Sequence, residues 1–279
     1  PQVEARARQM EMRREQIIEW IYQVIDQCDL PREIVAIATN LLDRYVAKRI
    51  AAAPPGGVAN AVNGFTYQLA ALTALYLTVK LNDHRKIRIE RLVPLSSGRF
   101  TTKNIEDMER SMIESLGWFV HPPTSVAFVR ELVTLGLPGL DASLRAHILC
   151  VSAFFTELSL LDYDLSVAST SSSTIAYAAI LNAMDTVGTH RLDHDSRHVF
   201  IERIAATCGP SFSPQDENVF AVRQRLNEID IQGAETSEHQ SYHEDQMERL
   251  HGSSPSPRNV VDGVDQQSFS TPCPREIHP

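Results

Sequence analysis

The sequence predicts an all-α protein: two tandem five-helix domains, each caging a buried, alanine-rich central helix, followed by a disordered polar tail. Three observations carry this. The stretch Phe65–Leu81 has no charge from Leu69 to Val79, and Ala70, Ala71 and Ala74 are interleaved with Leu72, Leu75 and Leu77, so every face of a helical period is apolar. A second uncharged, alanine-rich run, Thr174–Met184, recurs in the other half of the chain. Amphipathic segments separated by Pro, Gly and Ser turns flank both runs. A helix that is apolar all round must be wrapped by protein. The first run is also too short and too interrupted by Thr and Tyr to span a bilayer, which takes about 20 apolar residues.

In chain order, Val3–Gln27 reads as a helix with Met10, Ile17, Ile18, Ile21, Val24 and Ile25 on one stripe. Pro31 stands near the start of the next helix, where a missing N–H costs nothing. That helix runs Ile34–Lys48 and buries Ile34, Val35, Ile37, Ala38, Leu41, Leu42 and Tyr45. Pro54–Gly57 is a loop, the central helix follows, and Ile89–Leu95 is expected to be a short helix. Thr102 is expected to cap a helix carrying Ile105, Met108, Met112, Ile113 and Leu116. The order then repeats after the Pro122–Pro123 break. Thr124–Leu135 is amphipathic, Asp141 caps a long helix through Leu161, and Ala168–Ser173 is a loop. Thr174–Met184 is the second central helix, with Asp195–Cys208 and Pro214–Ile229 after it. The expected domains are 1–120 and 121–230. From Ile231 to 279 the chain is rich in Gln, Ser, His, Pro and acids, too polar to offset an ordering entropy of about 1–2 kcal/mol per residue.

A net charge of −9 argues against a duplex-binding surface; the tail from Ile231, with eight acids against three arginines, supplies −5 of it. Cys28, Cys150, Cys208 and Cys273 lie far apart without a C-x-x-C, so neither a zinc site nor a disulfide framework is read. With no signal peptide and no transmembrane run, a reducing intracellular compartment is expected. Because the chain opens at Pro1, a preceding segment is also expected.

No constellation argues for catalysis, and no cofactor or metal is assigned. Gly56–Gly57 lacks the Gly-Lys-[Ser/Thr] of a P-loop. His190-Arg191-Leu192-Asp193 has an extra Leu relative to a kinase catalytic loop, and no Gly-rich strand or Asp-Phe-Gly accompanies it. His190, His194 and His198 are spaced for one helical face, but Arg191 and Arg197 stand among them, which favours a solvated helix start over a metal site. Arg14 and Asp43 each interrupt an apolar stripe, where an unpaired charge is costly, and so predict an interhelical ion pair. Lys80 ends the uncharged run, and Glu109 sits between Met108 and Met112. Spacing alone favours a snorkelling lysine and a surface glutamate. The alternative is a paired donor and acceptor offered to a partner's backbone.

At this point the residues resemble the cyclin family. Arg14 to Trp20 is similar to its M-R-x-I-L-V-x-W opening, and Leu30–Tyr45 resembles the second cyclin-box helix with its L-D-R-[FY] ending. Gln68–Lys80 resembles the third helix, and Met108-Glu109 through Trp118 to Pro123-Thr124 resembles M-E-x-x-[IV]-L-x-x-L-x-[FW]…P-T. In the second half, Glu157-Leu158-Ser159-Leu160 and Thr174–Ala179 resemble E-L-S-L-x-D and P-S-x-I-A-x-A-A.

The resemblance implies two cyclin boxes and a noncatalytic subunit that binds and activates a cyclin-dependent protein kinase in cell-cycle control, in nucleus and cytoplasm. Kinase substrates or inhibitors are further partners, and no nucleic acid or membrane is. It also implies kinase-binding roles for Lys80 and Glu109, a structural ion pair for Arg14 and Asp43, and a substrate-docking patch at Ile17, Trp20, Gln23, Tyr67 and Gln68. Several positions depart from the family: Arg13 stands for the usual Met, Gln16 for an aliphatic, Gln23 for Glu, and Tyr67 for Leu. Lys80-Leu81-Asn82-Asp83 replaces Lys-x-Glu-Glu. The destruction-box-like Arg223-x-x-Leu226 falls within an expected helix. The alternatives are a transcriptional cyclin and a cyclin-fold transcription factor that clamps DNA without a kinase; the acidic balance opposes the latter.

Overall fold

The computed structural model describes residues 2–54, 63–82, 89, 93–96, 98–167 and 170–230. The tail from Ile231, and with it Cys273, lies outside the described residues, as do most of the Pro54–Gly57 loop and part of the Ile89–Leu95 helix. The described residues are helical and contain no strand. They fall into two compact units, the first reaching Pro122 and the second beginning at Pro123.

In the first unit, α1 (Gln2–Gln27), α2 (Glu33–Ala51) and α4 (Thr102–Ser115) pack around α3 (Gly64–Asn82). The charge-free stretch of α3 dictates this: Leu69 to Leu75 and Leu77 to Val79 are all buried. Thr73 and Thr78 are tolerated there because their hydroxyls donate to the Leu69 and Ala74 carbonyls of their own helix, at 2.7 and 2.8 Å. From α2, Ala38, Leu41 and Leu42 press in at 0% exposure, and small Ala70, Ala71 and Ala74 let the helices approach closely.

Two local expectations change. The N-cap of α4 is Thr101, not Thr102: Thr101 is extended, its hydroxyl accepts from the Asn104 N–H at 3.2 Å, and Asn104 Oδ1 accepts from the Thr101 N–H at 2.9 Å. This reciprocal box satisfies two otherwise orphaned donors, so Thr102 is already helical. Of the expected helix at Ile89–Leu95, residues 90–92 lie outside the described residues; Ile89 has a 3-10 conformation, and a 3-10 turn covers Pro94–Ser96.

In the second unit, α5 (Ser125–Gly136) and α6 (Ala142–Leu161) pack on the second central helix, α8 (Ser172–Thr186), of which Ile175 to Met184 are buried without a break. Phe200 and Ile204 of α9 (His194–Cys208) and Val219 of α10 (217–230) join that core. A Cβ at Gly136 would overlap the Phe200 ring, so glycine is what lets α9 lie against the end of α5. Between α6 and α8 a short α7 (Tyr163–Val167) appears that the sequence did not signal; Asp162 Oδ1 accepts from the Leu165 N–H at 2.9 Å and starts it. Caps also move two boundaries. The Ser171 hydroxyl accepts from the Thr174 N–H at 3.1 Å, so α8 begins at Ser172 inside the expected loop. Asp216 Oδ1 accepts from Asn218 N–H at 3.0 Å, so α10 begins at 217 rather than Pro214.

Contrary to the expectation of no membrane-length run, α6 is long and apolar enough to cross a bilayer, with a mean hydropathy of 1.4. A stripe of it, Leu144, Ile148, Ser152 and Phe155, is buried in the second unit. Arg145 ties its first turn to the Leu137 carbonyl at 2.8 Å.

Candidate functional site

Lys80 and Glu109 come together at the surface of the first unit. The last turn of α3 carries Lys80 out of the apolar core, and α4 presents Glu109 beside it, with Nζ donating to Oε1 at 2.8 Å. The lysine is 48% exposed and the glutamate 14%. Their pairing departs from the reading of a lysine and a glutamate solvated separately, and agrees with the reading of a paired donor and acceptor. The Glu109 hydrogen bond is the main cause that lifts the Lys80 ammonium above its ordinary range; partial burial opposes it, and the charge of Glu109 adds to it. The Tyr76 ring lies beneath the ammonium, 5.4 Å from ring centroid to Nζ. An ammonium has three donors and a carboxylate about four acceptor positions, so the pair retains capacity for a backbone carbonyl and a backbone N–H.

Apolar side chains border the pair, and the sequence reading did not single them out as functional. Leu81, next to Lys80, is 42% exposed, and Ile113 follows Glu109 by one turn. Trp118 is 76% exposed and held at φ +65, directly after Gly117 at φ +62; its N–H donates to the Ile113 carbonyl at 3.1 Å. Such a conformation is unusual for a bulky residue and turns the indole outward. Exposed apolar side chains together with a polar pair are the ordinary composition of a protein-binding surface. The available signal was position: Leu81 lies in the last turn of α3, and Trp118 just past the end of α4.

Arg14 and Asp43 meet within the unit. Arg14 Nε lies 3.1 and 3.2 Å from the two carboxylate oxygens and Nη2 lies 2.9 Å from Oδ2, a fork that fixes α1 against α2. Arg14 is 3% exposed and Asp43 13%. Burial pushes the Asp43 carboxyl above its ordinary range, while the Arg14 charge and hydrogen bonds pull it back.

The five docking-patch residues are arranged less openly. Ile17 and Tyr67 are buried, at 3% and 5% exposure. Trp20 packs against Leu69, Leu72 and Phe100. Gln68 Oε1 accepts from Arg99 Nη1 at 2.7 Å, and Gln23 is exposed.

Other sequence candidates resolve into structure. His190 lies in a turn while His194 and His198 are on α9, so the three do not share a helix, and among the described residues no cluster of metal-ligating side chains occurs. His198 instead faces Glu202 at 3.6 Å. Leu192 is buried at 1% exposure, and Asp193 caps α9 by accepting from the Ser196 N–H. Leu226 is wholly buried, and Arg223 Nε donates to Asn182 Oδ1 at 3.0 Å, so the destruction-box-like pair is part of the core.

This geometry is that of a helical protein with a paired donor and acceptor at its surface and exposed apolar side chains on the same unit. Residues 3–121 match the family model described as the cyclin N-terminal domain. A G2/mitotic-specific cyclin-2 of Medicago sativa is 28% identical over 171 residues, 61% of this chain and 46% of that protein. Cyclin-B2-1 of Arabidopsis thaliana is 27% identical over 149 residues, 53% of this chain and 31% of that protein. A viral cyclin from herpesvirus saimiri shares the fold, with a TM-score of 0.57 and 15% identity over 78% of this chain and 86% of that one. Over these stretches the chain is similar to cyclins. The matched part is 46% of the first of these relatives and 31% of the second.

Proposed function

We propose that the chain is a noncatalytic regulatory subunit that binds and activates a cyclin-dependent serine/threonine kinase in cell-cycle progression. The observation that carries this is the Lys80–Glu109 pair, 2.8 Å apart, with Leu81 exposed next to Lys80 and Trp118 exposed just past the end of α4. Such a patch suits a helix of the kinase: Lys80 meets a backbone carbonyl, Glu109 a backbone N–H, and the apolar rim takes the side chains between. The names of the mitotic relatives support the cell-cycle reading. A partner that binds only the active arrangement of a kinase shifts the population toward it. The kinase's own Lys–Glu pair and activation loop then stand ready for phosphoryl transfer. The subunit acts where such kinases act, in nucleus and cytoplasm.

The docking patch is a weaker element of the same reading. Its Gln68 is engaged by Arg99, and Gln23 stands where an acid would meet a basic peptide. Basic-hydrophobic substrate or inhibitor segments therefore dock feebly on this chain.

The test titrates the purified chain against a panel of purified cyclin-dependent kinases and reads phosphate transfer to a Ser-Pro peptide. At least one kinase is activated, and Lys80→Ala with Glu109→Ala raises the half-saturating concentration at least tenfold, since charge-assisted hydrogen bonds contribute about 1.5–3 kcal/mol each. Activation of no kinase, equal affinity in the double variant, or phosphate transfer by the chain alone overturns the proposal.

A further inference from the structure

One face of α2 grips the far end of the helix that carries Glu109. Lys48 Nζ donates to the Ser115 carbonyl at 2.6 Å. One turn earlier, Arg44 Nη1 donates to the Phe119 carbonyl at 2.9 Å while its guanidinium lies over the Phe119 ring, 4.7 Å from the centroid. Between them the Tyr45 hydroxyl meets Ser111 Oγ at 3.1 Å. The last carbonyls of a helix lack intrahelical partners and form its negative end, so Lys48 answers both deficits at Ser115, while Arg44 holds the segment that follows the helix at Phe119. The other end of α4 is closed by the Thr101–Asn104 box.

Helix geometry connects this grip to the binding pair. Ser111 and Ser115 are two and six residues past Glu109, which at about 100° per residue sets them about 200–240° round the helix, on the face away from Glu109. Holding that face against α2 leaves α4 neither free to roll nor to slide. Either motion would carry Glu109 away from Lys80, whose own helix is fixed by its buried core.

We propose that Arg44 and Lys48 are positioning residues for the binding pair: by clamping the C-terminal end of α4 to α2, they set the rotation and height at which Glu109 meets Lys80. The inference deepens the kinase-binding reading and rests on it only for its consequence in binding. The geometric claim stands on the pair itself.

The experiment uses the full chain with 15N-labelled lysine and follows the Lys80 ammonium through an alkaline titration, alongside kinase titration. In Arg44→Gln with Lys48→Met, the Lys80 midpoint falls toward that of ordinary lysine because the Glu109 hydrogen bond is weakened. Kinase affinity falls about fivefold or more. Lys48→Arg, which keeps the donor, retains the parent values in both readouts. If the double variant does not fold, Lys48→Met alone removes one exposed donor and is expected to give a smaller shift in the same direction. A folded variant whose Lys80 titrates as in the parent overturns the proposal, whatever its kinase affinity. A parent chain that activates no kinase defeats the regulatory reading alone, and the Lys80 midpoint still decides the clamp.

Discussion

Replacing Arg14 with alanine separates what holds the first unit together from what it presents. The guanidinium makes three contacts of 2.9–3.2 Å with Asp43 and is 3% exposed, so its removal leaves a carboxylate at 13% exposure without its counter-charge. Stranding one partner of a buried pair costs about 3–5 kcal/mol, and the residual exposure of Asp43 sets the expectation near the lower figure. For a unit of this size about 3 kcal/mol lowers the melting temperature by roughly 10 °C or more.

The loss carries a pH signature. Burial already raises the Asp43 carboxyl against the Arg14 charge and hydrogen bonds, so without Arg14 its folded-state value climbs further. A carboxyl whose folded value lies above its unfolded value of about 3.9 binds protons more tightly in the fold. Stability therefore falls as pH rises through that window, more steeply in the variant than in the parent. Melting curves from pH 4 to 8 should show the gap between Arg14→Ala and parent widening upward, and Asp43→Asn in the variant background should recover part of it. A gap that is constant with pH, or below about 1 kcal/mol at pH 7, would show that Asp43 reaches water and that the fork contributes little.

Two further expectations concern the second unit. The Tyr177 hydroxyl is buried without a hydrogen-bond partner, its ring stacks on Phe200, and desolvation pushes its ionisation up to about 12 against the opposing charge of Arg223. Tyr177→Phe keeps the ring contacts and removes the orphan, so chemical denaturation should show stability unchanged or raised by up to about 1–3 kcal/mol; a clear loss would reveal a partner for the hydroxyl. The Asp193 carboxyl is held below its ordinary range, first by the Ser196 backbone N–H that it caps. A depressed carboxylate contributes stability above its unfolded value and loses it as pH falls through the folded one. Asp193→Ala should therefore melt below the parent at pH 7, with the difference closing below about pH 4; a difference that persists unchanged at pH 3 contradicts the cap assignment.

What was legible in the sequence was whatever depends on a repeated pattern. The two uncharged alanine-rich runs announced buried central helices because no solvent-facing helix omits charge for that long, and α3 and α8 are buried along those runs. Arg14 and Asp43 were legible as a pair because each breaks an apolar stripe. Boundaries were less so. Thr101 and Thr102 both qualify as caps by composition, and only the reciprocal bonds to Asn104 choose between them. Pro214 offered itself as a helix start, but Asp216 caps two donors and wins the position. The short α7 rests on Asp162, whose other oxygen accepts from Arg225 at 2.6 Å on a helix remote in sequence, a tertiary contact with no local signature.

The binding pair shows why site residues resist reading in isolation. On sequence alone Lys80 is a charge ending an apolar helix and Glu109 a charge on an amphipathic one, and each is the ordinary exposed residue at such a place. What distinguishes them is convergence. α3 must bury the stretch before Lys80, which fixes where its ammonium leaves the core. α4 is capped by its own threonine at one end and held by Arg44 and Lys48 at the other, which fixes where Glu109 stands. The same constraint explains the exposed Trp118. With Leu116 buried and the N–H of Trp118 bonded back to Ile113, two successive left-handed residues are what turn the indole outward. An exposed tryptophan held by its backbone is the kind of anchor from which binding free energy is drawn, because little conformational entropy remains to be lost when a partner arrives.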